Sequence, residues 1–161
     1  MVNKDEPKWL TEAWGYIELG MYDEAWKVLD TIAGVETHEA EALSTRISIA
    51  LDEGKASKAL PFCEELCKRF ATCPEGFVQG AYCLHALGKT ESARELLQSG
   101  PQSLRKDHVY FYNLACYEAA LGNDSVGMAW LRRSIEIDPK ARVDALRDKD
   151  LEVYWPELQE C

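Results

Sequence analysis

Gly20, Gly54, Gly88 and Gly122 follow one another at intervals of 34 residues, and they are four of only ten glycines in the chain. One fixed spacing of this size constrains the fold more than any other feature. It marks a supersecondary unit repeated in register and stacked on its own copies. The neighbours repeat with the glycines. Five residues later stand Ala25, Ala59, Ala93 and Gly127, all small. Seven earlier stand Ala13, Ile47, Ala81 and Ala115, and eleven earlier the large apolar Trp9, Leu43, Phe77 and Phe111. Nine later stand Leu29, Cys63, Leu97 and Leu131, and no insertion disturbs the register.

Physically this is a helix, a tight turn and a second helix. Glycine takes the left-handed conformation that ends the first helix at no steric cost. Asp23, Ser57 and Ser92 suit the first turn of the second helix. Small residues on both sides of the turn let the two helices approach, and Ile47 in place of a small residue predicts a wider second hairpin. The pattern predicts helices near 8–19, 22–33, 38–53, 56–70, 75–87, 90–98, 107–121 and 124–137. After Pro139 the period is not renewed. Val143, Leu146, Leu151, Tyr154 and Trp155 supply one apolar face, which predicts a short terminal helix or two covering the last unit.

These features resemble the tetratricopeptide repeat. The likeness rests on the 34-residue unit, the early aromatic, the small residues at two close contacts and the glycine turn. It is strongest in the run Gly20 to Ala25, in "YFYNLACYEAALGN" and in Pro139, which fits the closing proline. The first three units lack that proline, and Glu118 stands where Tyr16 and Leu84 stand elsewhere. The resemblance implies an all-α chain, an α-solenoid wound as a right-handed superhelix of four helix-turn-helix units. These would span 7–140 (about 7–40, 41–74, 75–108 and 109–140), after a leader at 1–6 and before a C-terminal capping helix within 141–161. It also implies that the first helix of each unit lines a concave wall.

On a helix, the residues ten, six and three before each glycine share one face. They are Leu10, Trp14 and Ile17; Ser44, Ser48 and Leu51; Val78, Tyr82 and His85; Tyr112, Cys116 and Ala119. The candidate peptide groove is therefore Leu10, Trp14, Ile17, Ser48, Val78, Tyr82, His85, Tyr112 and Cys116, with Glu41, Glu75 and Val109 flanking it. One subset of the family clamps the acidic tails of heat-shock chaperones with inward Lys, Arg and Asn, and charge-assisted bonds of that kind need such donors. Here the inward positions hold no Lys or Arg, and Asn113 is the one clamp-like amide. The expected ligand is instead a peptide with apolar side chains, anchored on Trp14, Tyr82 and Tyr112 and flanked by basic residues that suit an acidic rim. In the competing reading some of these side chains are covered by the protein's own chain or by neighbouring units. Two other uses of the wall stay open: holding a client protein, as small secretion chaperones of the family do, or self-association as a homodimer.

Composition removes other classes. The formal charge is −10, which repels phosphate backbones and anionic membranes, and Arg132-Arg133 and the stretch from Lys140 to Arg147 are interleaved with acids. Nucleic acid and membrane are thus not expected as partners. No apolar stretch approaches the roughly 20 residues needed to cross a bilayer, and the first residues carry no apolar signal core. A cytoplasmic location is the expectation. The six cysteines, Cys63, Cys67, Cys73, Cys83, Cys116 and Cys161, fall mostly within apolar helical pattern and read as reduced structural thiols. Their spacing makes no C-x-x-C zinc pair, so no metal or cofactor is expected. Cys83 and His85 lie two apart on a helix and point to different faces. Cys116 and His85 both belong to the wall, but nothing in the sequence marks either as activated. The chain reads as a non-enzyme. "LRDKDLE" reads as a solvated face with local salt bridges.

Overall fold

The computed structural model describes residues 6–33 and 38–160. Regular structure among them is entirely helical. Eight helices carry the repeat: α1 (Lys8–Glu18), α2 (Tyr22–Ile32), α3 (Glu39–Asp52), α4 (Ala56–Arg69), α5 (Pro74–Ala86), α6 (Thr90–Gln98), α7 (His108–Ala120) and α8 (Asp124–Ile137). Each end falls within one residue of the boundary expected from the spacing. Two short helices follow, α9 (Ala141–Ala145) and α10 (Trp155–Gln159), with a 3-10 turn at Lys149–Tyr154 between them. The leader expected at 1–6 and the last residue lie almost wholly outside the described residues.

The four glycines all hold positive φ, from 69° at Gly20 to 79° at Gly88, and no other described residue does. Each closes the same double hydrogen bond. The N–H of Gly20 donates to Ile17 O at 2.9 Å and that of Met21 to Tyr16 O at 2.8 Å. Gly54 and Lys55, Gly88 and Lys89, and Gly122 and Asn123 repeat the arrangement. This is the Schellman closure, which satisfies carbonyls that the end of a helix would leave bare. The second helices then start without any side-chain cap. The first bond from a residue to the one four before it is instead made by the small residue five after each glycine, as when Ala59 N–H donates to Lys55 O at 3.1 Å. The turn backbone supplies the start, so the polar Asp23, Ser57 and Ser92 are not needed as caps.

The described chain forms two compact units, one up to Gln79 and one from Gly80, the division falling inside α5. In the first unit α1 and α2 pair, α3 and α4 pair, and α3 packs on both helices of the first hairpin. Ile17, Ala25, Leu29 and Ile49 form a core cluster edged by Trp9, Tyr16, Tyr22, Trp26 and Ile32. Ile47 is also buried, so the bulk that replaces a small residue is absorbed between packed helices. The Trp26 indole donates to Glu53 Oε2 at 2.9 Å, and Lys58 Nζ sits 3.7 Å above the same ring. Lys55 Nζ donates to Glu53 at 2.7 Å, and these two donors hold the carboxyl below its ordinary range.

In the second unit α7 is the central helix. It packs along α8 and meets α6 and the 3-10 turn of the C-terminal segment. Leu114, Ala115, Leu131, Ala145 and Leu151 are fully buried. Glu118, the anomaly among the repeat positions, is buried too. It accepts from Arg94 Nη1 at 3.2 Å and from Asn123 Nδ2 at 2.7 Å, so its charge is paired and its lone pairs are used. The short α6 is followed by a 3-10 turn at Gln102–Lys106, where Arg105 donates back to Gln98 O at 2.9 Å. Asp107 then caps α7 by accepting from Val109 N–H at 3.0 Å.

Candidate peptide-binding faces

The positions expected to line the wall meet different fates in the two units. In the first unit Trp14 is 41% exposed, and Leu10, Ser48 and Val78 are half-buried. Ile17 belongs to the core cluster at 7% exposure, because α2 and α3 close over it. The Ser44 hydroxyl donates to Glu75 Oε2 at 2.6 Å, so a carboxylate from the expected flank holds part of this face. What stays open is an indole with apolar neighbours and an acidic border.

In the second unit Tyr82 is 53% exposed. His85, Tyr112 and Cys116 are engaged by the chain itself. The C-terminal segment leaves α9 at Ala145 and turns back. Asp148 Oδ1 accepts from Asp150 N–H at 3.0 Å, which shapes the 3-10 turn. Its other oxygen, Oδ2, accepts from the Tyr112 hydroxyl at 2.9 Å and lies 4.0 Å from Cys116 Sγ. His85 Nε2 stands 3.2 Å from Asp150 Oδ2, its Nδ1 3.0 Å from Thr90 Oγ1, and its ring 5.1 Å from that of Tyr117. Burial, aided by Asp148, pushes the Tyr112 and Cys116 pKa values up. Asp148 is therefore no part of a solvated charged face. Sequence reasoning missed it because its partners lie 36 and 32 residues away and no helical period links them. The legible signal was an Asp that could nucleate a turn three residues before a buried leucine.

The segment is seated firmly. Leu151, Tyr154 and Leu158 are buried, and the Trp155 indole donates to Ala145 O at 2.7 Å. Tyr154 lies over Gly127 of α8, where a Cβ would come within 1.9 Å of the phenol oxygen. Gly127 is thus small for a specific reason, the admission of this ring. Burial, with Asp124 and Glu118 nearby, pushes the Tyr154 phenol up to about 12.

Among the described residues, no group of three or more His, Cys, Asp or Glu is placed to hold a metal ion. Nor is there a helix long and apolar enough to cross a membrane. Cys116 and Cys67 carry thiols pushed above their ordinary range by burial, Cys67 up to about 11. Such thiols are mostly protonated near neutrality, so neither is activated to attack first.

The class that the helix hairpins define is the tetratricopeptide-type helical solenoid. No protein-family model matches the sequence, and no curated protein matches it by sequence. Solved structures do match the fold. The crystal structure of MamA superposes with a TM-score of 0.75 at 16% identity, covering 92% of each chain. YrrB, described as a TPR protein with an unusual peptide-binding site, gives 0.72 at 18% identity, over 92% of this chain and 73% of its own. TTC0263, a thermophilic TPR protein in Thermus thermophilus, gives 0.69 at 18% identity, over 95% and 98%.

Proposed function

We propose that this chain is a non-catalytic, four-unit interaction module that binds a segment of another protein through open aromatic side chains on its first helices. Trp14 serves in the first unit and Tyr82 in the second. The observation that carries this reading is their exposure, 41% and 53%, at the same repeat position. A large apolar ring left open at that position has no structural use within its own unit. The fold likeness supports the reading, since YrrB, one of the similar structures, is described as having a peptide-binding site. Partner chemistry follows from charge. At a net charge of −10, with Glu75 bordering the first face, apolar residues flanked by Lys or Arg suit it best.

The test is a fluorescence titration with synthetic peptides carrying apolar residues between basic flanks, set against acid-flanked versions. Basic flanks should bind more tightly, and the advantage should shrink as salt is raised. Replacing Trp14 or Tyr82 with Ala should weaken binding at least about tenfold while the helical spectrum stays unchanged. Equal affinity in both variants would remove these faces from the reading.

A further inference from the structure

The link between α4 and α5 brings two cysteines to one point. Cys67 lies in the last turn of α4, and its Sγ stands 2.9 Å from where a Cβ on Gly76 would be. Gly76 is in the first turn of α5, so that turn is seated directly on Cys67. Cys73 immediately precedes Pro74, the first residue of α5. Its N–H donates to Phe70 O at 2.9 Å, which folds the link back tightly. The residue before a proline is kept out of helical conformation and here takes the N-cap position. A side chain at that position leans over the amides of the second and third helical residues, here Glu75 and Gly76. Cys67 Sγ therefore faces the bare Cα of Gly76, and Cys73, at the start of the same turn, is close enough to Cys67 to act on its thiol. Both cysteines are only half-buried.

We infer that Cys67 and Cys73 form an oxidation site that closes to an intramolecular disulfide when the protein meets a peroxide. The Cys73 thiolate attacks one peroxide oxygen; the O–O bond breaks, hydroxide leaves, and Cys73 becomes a sulfenic acid. The Cys67 thiolate then attacks the Cys73 sulfur. The S–S bond forms, the S–O bond breaks, and a second hydroxide leaves. With the two thiol protons, the sum is two thiols and one peroxide giving one disulfide and two waters. Two electrons pass from sulfur to peroxide oxygen. This order follows from environment. Burial and the nearby Cys73 raise the Cys67 thiol to about 11, which suits it to the second, resolving step rather than the first. The closed bridge ties the last turn of α4 to the start of α5.

The experiment treats the full chain with hydrogen peroxide in slight excess, blocks remaining thiols, and maps it by non-reducing digestion and mass spectrometry. The expected product is a monomeric chain lacking two hydrogens, with peptides containing Cys67 and Cys73 linked and the link reversed by a dithiol reductant. Cys67→Ser should leave Cys73 as a sulfenic acid trapped by dimedone. Cys116→Ser should leave the link intact. Added oxygens on Cys73 with Cys67 still blocked as a thiol, or a link from either one to another cysteine or another chain, would overturn the assignment. The wild-type map decides the matter even if a variant folds poorly.

Discussion

The same repeat position, six residues before the turn glycine, is an open indole at Trp14 on α1 and a buried thiol at Cys116 on α7. Both helices obey one period, and both glycines close one hydrogen-bond pattern. The difference comes from what lies over them. Residues 141–160 fold back onto α7 and spend the polar atoms of Tyr112, Cys116 and His85 on Asp148 and Asp150. A repeat thus specifies where a side chain points, while the segment beside it specifies whether that side chain is free to bind anything.

The comparison breaks most visibly at Leu151. It is fully buried, so Leu151→Ala should cost about 3 kcal/mol in denaturant titration and strip hydrogen-exchange protection from α7 while leaving α1 to α3 untouched. Loss spread evenly over both units would show that the tail is no local covering. Gly127→Ala comes next, since its new Cβ would meet the Tyr154 phenol well inside contact distance. A loss of about 2 kcal/mol is expected, restored in part by Tyr154→Phe in the same chain, which removes the clashing oxygen.

The first unit offers a matched pair one turn apart. Ile17→Ala should cost about 3 kcal/mol, and Trp14→Ala less than about 0.5 kcal/mol, because one side chain is core and the other open. Comparable losses would contradict the placement of Trp14. The smallest expected effect is acid sensitivity at Glu53. Lys55 and Trp26 stabilise its charged form, so its folded pKa lies below the ordinary 4.5. Its contribution is present above that ordinary value and fades as pH falls through the lower folded one. Glu53→Gln should cost about 1 kcal/mol at neutral pH and flatten the acid limb of α2 and α3 melting without changing that of α7 and α8.

Particular residues show how far sequence reading reached. Gly20, Gly54, Gly88 and Gly122 announced the hairpins because positive φ is a local demand that few residues meet. That Trp14 and Tyr82 share one repeat position followed from the spacing alone, and both rings are exposed. Ile17 sits on the same stripe yet is buried, because α2 and α3 close over it, and angle cannot report a neighbour's reach. Glu118 looked like a departure from the pattern. It is accommodated because Asn123, in the turn just after it, and Arg94, 24 residues before it, both arrive at its carboxylate.

Helix ends, hairpin turns and repeat register were decided by the sequence itself, since each depends on backbone preferences and hydrogen bonds made within a few residues. The return of the C-terminal segment, the fit of Tyr154 over Gly127 and the loss of His85, Tyr112 and Cys116 from the open face were decided by tertiary structure alone. They join residues tens of positions apart through shape and charge, and a periodic pattern carries no record of contacts that occur once.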